Sequence, residues 1–578
     1  MKYPTLYTKE NSRQMIDVFK GYNHNLRIGD GEFFDMKNMT SDFYPVLSPR
    51  KKRGLYAKPY SPNGMIAKDS LCYVDGTKFV INEYPVDMGL NNEPKQLISM
   101  GAYVIIMPDK KWINTLDTTE FGNIEASYAS SGDVTFTLCT VDGADYENMA
   151  VSPNGPAEPE NMALWIDTSS KPHTLKQYSA TSSMWVQVAT TYVKISSPGI
   201  GANFNQYDGV TISGIVKEGL KDLNASMIIW AKSDDYIVVV GILDEVTSQT
   251  LSDGVIKVER KMPFMDFVIE FNNRLWGCRY GVAANGEVVN EIYASKLGDF
   301  KNWDCRMGIS TDSWSVSCGT DGQFTGAITH MGYPLFFKEN CVHKVYGTYP
   351  ANFQVQDTAC RGVQKGCENS LAIVNETLFY KSRSGICAYD GSLPTEASYA
   401  LGNEAYSDAV GGSHGNKYYV SMKDITGEWN LFIYDIAKNM WHKEDNFHAE
   451  AFCSCRGDMY AISSGKIVSM LGSGEDYEDK FEWMVQTGEI GISSPDMKYI
   501  SRLTVRMSMD IDSEVRFYAQ YDFSDEWEPL FNLRSTNLRS FSLPIRPKRC
   551  DHMKLRIEGE GMAKIYSITK TIEQGSEL

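Results

Sequence analysis

Residues 369–393 read NSLAIVNETLFYKSRSGICAYDGSL. Leu371 to Val374 predicts a short apolar strand, and Asn375-Glu376 a polar turn. Leu378 to Tyr380 predicts the returning strand, Ser382 to Gly385 a second turn, and Ile386 to Tyr389 a third strand that ends at Asp390-Gly391. Strands this short, joined by Asn, Asp and Gly turns, make a small antiparallel meander. One meander cannot bury its own faces, so it requires neighbours.

The chain supplies them. Phe267 to Glu270 leads through Asn272-Asn273 into Leu275-Trp276, and Ala327 to Thr329 leads through Gly332 into Leu335 to Phe337. Val410 leads through Gly415-Asn416 into Tyr418 to Val420, and Phe452 through Arg456-Gly457 into Met459-Tyr460. Two further copies lie upstream, at Met65 to Tyr73 and at Leu97 to Ile105. Ala327, Ser370, Val410 and Ala451 mark unit starts roughly 40 residues apart, the period of propeller blades. About seven units predict an all-β, six- or seven-bladed β-propeller. An irregular β-sandwich with hairpins of similar length is the alternative.

The frame around the repeats is consistent with this. Aromatic residues make up 12% of the 578, and the formal net charge is −17. That balance argues against coating DNA or binding anionic membranes, which needs excess Lys and Arg. No apolar run approaches the roughly 20 residues of a membrane helix; the longest, Tyr236 to Leu243, suits one buried strand. The N-terminal MKYPTLYTKENSRQM shows no apolar signal region, so no membrane insertion and no secretion are expected. Twelve cysteines without a Cys-x-x-Cys pattern predict buried free thiols rather than a metal site.

Residues 1–60 read as an ordered N-terminal arm, dense in Gly, Asn and Asp, whose Phe33, Phe34, Phe43 and Tyr44 imply docking. Its basic run Arg50, Lys51, Lys52, Arg53 could grip an acidic neighbour, while a solvated turn is the plainer reading. Residues 61–116 hold the first propeller units. Residues 117–258 read as inserted β-modules, about 117–191 and 192–258, the first containing the Pro-rich loop SPNGPAEPEN. Trp165 and Trp185 in that insert could stack on glycan or anchor a mini-core. The remaining blades occupy 259–476. Residues 477–578 alternate large and polar residues in five or more strands, which predicts a C-terminal, jelly-roll-like β-sandwich. Its arginines 502, 506, 516, 546, 549 and 556 offer basic tips that could pair with acidic surfaces, Arg546 and Arg549 as partner contacts, or form a solvated strand face.

No phosphate loop, nucleophile elbow, zinc helix or EF-hand loop is present, and the eight histidines fall in no ligand spacing. No catalytic, cofactor-binding or metal residue is therefore assigned, and the chain is expected not to be an enzyme. Two local likenesses are structural. NEIYASKLGDFKNW (290–303) resembles part of the sialidase Asp-box, with Ser295, Gly298, Asp299 and Trp303 out of register. LFIYDIAKNMW (431–441) resembles the closing strand of a kelch blade, where the Asp turns the chain and the Trp packs between blades.

The arm IGDGEFFDMKNMTSDFYPVLSPR (28–50), the ending SFSLPIRPKRCDHMKLRIEGEGMAKIYSITKTIEQGS (540–576) and the 290–303 stretch resemble a family of tailed-phage virion structural proteins, the "stabilization protein" family. The architecture is similar to the β-propeller tail nozzle proteins of short-tailed phages. The resemblance implies a virion component of the tail or head–tail connection, assembled in the host bacterial cytoplasm. It also implies a homo-oligomeric ring, a hexamer among the candidates, through which DNA passes without specific binding. Implied partners are other neck and tail proteins: an adaptor, a portal-proximal protein or fibres. The alternatives are a host-surface glycan-binding adsorption protein and, ranked third, a propeller glycosidase.

Overall fold

The computed structural model describes residues 12–242, 248–252, 255–493, 497–522, 524–534 and 537–574. Met1 to Asn11, Leu243, Gly575 and Ser576, parts of three stretches read above, lie outside the described residues. The protein is all-β, 52% strand and 2% helical. Among the described residues no helix is long and apolar enough to cross a membrane.

The predicted meanders are four-stranded antiparallel units. The guiding stretch forms Ala372–Val374, Thr377–Ser382 and Gly385–Tyr389, with Thr395–Glu396 as an outer fourth strand. Its first turn places both Asn375 (φ 46°) and Glu376 (φ 69°) in the left-handed region. Asn272-Asn273, Met331-Gly332 and Arg456-Gly457 do the same. Such two-residue turns match the natural twist of paired strands, which is why Asn and Gly punctuate every copy.

Seven units follow one another among the described residues, with first strands Pro62–Ala67, Gln96–Met100, Phe267–Phe271, Phe324–His330, Ala372–Val374, Tyr406–His414 and Ala451–Cys455. These first strands touch in succession, the short turn Glu368–Ser370 bridging the fourth to the fifth, and the seventh returns to the first. Apolar side chains fill the spaces between neighbours. Val104 and Ile113 meet Val74 and Phe79, Trp276 meets Phe336, and Tyr419 meets Met459. Each such side chain, fully buried, contributes about 1.5–3 kcal/mol.

The seventh unit takes its fourth strand from the other end of the chain. Gly54–Ala57 pairs with Lys466–Ser469, and Glu475–Asp476 lies along its far side. A Cβ on Gly54 would sit 1.8 Å from the Ser473 carbonyl oxygen, so only glycine fits there.

The arm is woven in rather than irregular. Gly21–Tyr22 pairs with Met440–Lys443 of the sixth unit and with Glu32–Lys37, which in turn pairs with Glu482–Thr487. The sixth unit, the arm and one C-terminal sheet therefore form one ten-stranded sheet. A second sheet, Ser12–Ile16, Ala563–Gln574, Lys498–Met509 and Arg539–Leu543, faces it. Val505, Met507 and Ile565 from this sheet share a core with Val485, Phe517 and Ile557 from the other. The region expected as a separate sandwich from 477 onward is thus continuous with the sixth unit. The arm, expected to be ordered and docked, supplies the strands that join them.

The insert also differs from expectation. Phe121–Asn123 pairs with Lys111–Asn114 and completes the second unit, so the insert starts after it and not at 117. The expected division at 191/192 is crossed by hydrogen bonds, because Val134–Cys139 pairs with both Tyr192–Ser196 and Ser248–Leu251. The sheet bearing the two tryptophans, 150–187, is an excursion from this body. The insert has its own core, including Phe136, Ile195, Ile212 and Val258. Ala126 pairs with Arg260, which brings the two ends together. Replacing 126–260 by a short Gly/Ser linker is therefore expected to leave the seven units folded. Circular dichroism and a cooperative melt check this, and aggregation would show that the insert completes their core.

Candidate functional site

The densest charged cluster lies where the arm meets the sixth and seventh units. Pro49 and Gly54 flank the run, and its two end residues, Arg50 and Arg53, reach the same acids. Arg53 donates from Nη2 to Glu444 Oε2 (2.6 Å) and Asp445 Oδ1 (2.8 Å), and from Nη1 to Asp445 Oδ2 (2.8 Å). Arg50 makes a fork to Glu478, at 2.7 and 3.0 Å, and donates through Nε to Asn38 Oδ1 (2.9 Å). The guanidinium groups stack on Phe447 and Phe481, each 4.3 Å from the ring centre. Both arginines are buried, while Lys51 and Lys52 are exposed. The solvated turn expected for 50–53 is corrected, and so is a partner-contact role for Arg50 and Arg53. Their acidic neighbours belong to the same chain, and together they form an internal clasp.

A polar cleft of about 410 Å³ adjoins the clasp. Lys417 Nζ meets Asp42 at 2.6 Å, Lys438 Nζ meets Asp435 at 3.0 Å, and Ser41 Oγ donates to Asp435 at 2.5 Å. The arm residues Ser41 and Asp42 are thus pinned to the sixth unit. Asp435 also accepts the Lys438 backbone N–H, and Trp441 Nε1 donates to Ala397 O of the preceding unit. These are the turning and packing roles that the kelch-like stretch predicts.

Two groups here give the fold a pH dependence. Burial would raise the Asp445 carboxyl, but Arg53 and Arg50 hold it below the usual carboxylate range. Burial, with Lys417 nearby, pushes the buried His442 imidazole down to about 3. Both groups bind protons more tightly unfolded than folded. Their contribution is present above the unfolded values, about 6.5 for His, and is lost as pH falls toward the folded ones. The melting midpoint is expected to fall steadily between about pH 6 and pH 4. Thermal scans across that range check it, and a midpoint that rises on acidification would contradict it.

A second buried network fixes the insert. Arg260 pairs with Asp208 and donates to Ile124 O (3.2 and 3.3 Å). Asn302 donates to Asp208 Oδ1 (3.0 Å) and Asp299 Oδ2 (2.5 Å), and accepts from the Gly209 N–H (3.0 Å). Trp303 lies buried with Trp112 and Phe300. Ser295 Oγ accepts the Leu275 N–H, and Gly298 takes a left-handed turn at φ 73°. The Asp-box-like stretch is therefore the seat on which the insert is held.

Trp165 is 6% exposed, donates from Nε1 to Ser152 O (2.9 Å), and meets half-buried Trp185 edge to face at 5.3 Å. The Pro-rich loop closes over both rings at Gly155. The pair anchors a mini-core, and the expectation of an open glycan-stacking face at Trp165 is corrected. Arg546 and Arg549 are exposed. Sequence reasoning missed Glu444, Asp445, Glu478, Asp208, Arg260 and Asn302. Acidic pairs are too frequent among 73 acidic residues for Glu444-Asp445 to stand out.

No family model matches the chain, and no curated protein matches it. Solved structures do. An exo-beta-1,3-galactanase from Phanerochaete chrysosporium is 8% identical, with 52% of this chain and 94% of that chain covered and a TM-score of 0.21. The Pyrococcus horikoshii acylaminoacyl peptidase is 8% identical, with 54% and 55% covered and a TM-score of 0.23. A Trypanosoma rangeli sialidase is 8% identical, with 98% and 96% covered and a TM-score of 0.19. The expectation that the chain is not an enzyme is corrected by these matches, since its solved neighbours are hydrolases. At such identity and TM-score, no residue role, substrate or reaction passes from them to this chain.

Proposed function

We propose that this chain is a virion structural protein of a tailed phage, placed in the tail or head–tail connection as one subunit of a ring around the DNA channel. In this reading the seven units are blades of one propeller, closed by Gly54–Ala57, and the two C-terminal sheets are its jelly-roll-like sandwich. The succession of contacts from each first strand to the next supports the propeller.

One observation carries the functional reading. Two of the three stretches that resemble the phage family sit at joints between modules, and the third builds the sandwich that one of them joins. Residues 28–50 bridge the sixth unit to the sandwich and enter the clasp, 290–303 seat the insert, and 540–574 supply much of the sandwich. A protein that must transmit load through a particle needs such joints more than it needs any one loop. Its partners are then other neck or tail proteins and further copies of itself. The negative balance suits a bore through which DNA slides, because a basic wall would hold phosphate with strong, salt-dependent affinity.

Gold-labelled antibody against the chain, imaged on virions, tests this. Label close to the capsid or along the tail tube is expected. Label confined to distal fibres would favour the adsorption-protein reading, and its absence from particles would end both.

A further inference from the structure

The two faces of the sandwich treat their arginines differently. On the ten-stranded sheet Arg516 lies 3.4 Å from Glu482 and 3.9 Å from Glu558, and Arg556 donates to Gln486 and stacks on Trp527. On the other sheet the segments 12–16, 502–508, 539–543 and 564–571 contain no Asp or Glu, and Arg13, Arg502 and Arg506 lie on the outer face, while Lys570 is buried against Asp30. Its outer face presents rows across the strands: Arg13, Thr571 and Arg502; Met15, Thr569, Thr504 and Ser542; Ser567, Arg506 and Ser540. Arg13, Met15, Arg502, Arg506, Ser540 and Ser542 are exposed. Among the described residues no carboxylate lies within ion-pair distance of Arg502 or Arg506. Arg502 and Arg506 stand four residues apart on one face of the strand, and like charges gathered on one sheet face without a counter-charge cost stability. The face keeps them regardless.

The complementary surface is in the same chain. Between Lys111 and Lys171 the sequence has ten Asp or Glu and no Lys or Arg. Asp142, Glu147, Glu158 and Glu160 are exposed there, beside exposed Val151 and Met162. One chain cannot join the two surfaces. The insert leaves between the second and third units, whereas the sandwich continues the sixth. If the units are seven blades in a ring, as proposed above, these positions are diametrically opposed.

We infer that the Arg/Ser/Thr face of the terminal sheet docks on the acidic edge of the insert of a second copy. Two different patches meeting head to tail make a heterologous contact, which closes into a ring when the rotation allows it. The flat hydroxyl rows can donate to carboxylates, and the two arginines can fork onto them. This inference rests on the propeller reading and supplies the interface that the ring needs.

The test uses the full chain in sedimentation velocity. Wild type is expected to associate at about 50 mM salt and to weaken about tenfold or more at about 500 mM, as screened charge pairs do. R502E/R506E and E147K/E158K are each expected to lose association about tenfold or more, with unchanged circular dichroism because all four residues are exposed. Mixing the two variants is expected to restore it, since each carries the surface the other lacks. A wild type that stays monomeric, an oligomer indifferent to both variants, or a mixture that does not recover would each overturn the inference. The ring reading itself stands or falls separately, on where the label appears on virions.

Discussion

Arg53→Ala is expected to cost about 3–5 kcal/mol, the usual effect of removing one member of a buried ion pair. The guanidinium is 2% exposed and satisfies Glu444 and Asp445 at once, so its loss leaves two carboxylates without their closest cation. Arg50 remains 3.4 Å from Glu444 and 3.3 Å from Asp445, but its shorter contacts go to Glu478 and Asn38. The damage should spread to a particular element. Arg53 directly precedes Gly54–Ala57, the strand completing the seventh unit, and its backbone N–H donates to Glu478. Hydrogen exchange should show that strand and Lys466–Ser469 losing protection first. Alanine at exposed Lys51 or Lys52 should change stability by no more than about 0.5 kcal/mol. Equal effects from all three substitutions would mean that the run is held by something other than the clasp.

Arg260→Ala is expected to be of similar size, about 3–5 kcal/mol, and local. Asp208 is 2% exposed and would keep its Asn302 contact while losing its only cation among the described residues. Because the insert has its own core, it should loosen from its seat without unfolding. Limited proteolysis should then cut near 124 and 261 faster than in the wild type, while the seven units melt almost unchanged. Replacing both partners, Arg260→Met with Asp208→Leu, should recover much of the loss, since a well-packed apolar pair avoids the desolvation cost. Global unfolding of Arg260→Ala would show that the insert and the units share one cooperative core.

The seven units were legible because their hairpin turns demand particular residues. Asn375-Glu376 and Asn272-Asn273 adopt left-handed conformations that few other pairs tolerate. Outer strands were not legible. Thr395–Glu396 and Gln354–Ala359 face solvent and carry no apolar alternation. Gly54–Ala57 was invisible for another reason, since it pairs with residues some four hundred positions away and has no local signal. Gly21–Tyr22 and Glu32–Lys37 were masked by the Gly and Asn around them. In the insert the Pro-rich loop caps the excursion that Trp165 and Trp185 anchor, a role its composition does not announce. Of the basic residues singled out, Arg50 and Arg53 turned out to be internal because burial cannot be read from a charge run alone. Arg502 and Arg506 gained weight only when the sheet showed what lay beside them.

The central claim, that this chain is a ring subunit of a virion, is tested most directly by cryo-electron microscopy of particles that carry it. The expected result is a ring of several copies at the tail or neck, each with seven units, an outlying insert and a sandwich. Its bore should be lined mainly by Asp and Glu, whose repulsion of phosphate reaches about 8–10 Å at physiological salt. Particles without such a ring, or a bore lined mainly by Lys and Arg, would contradict it.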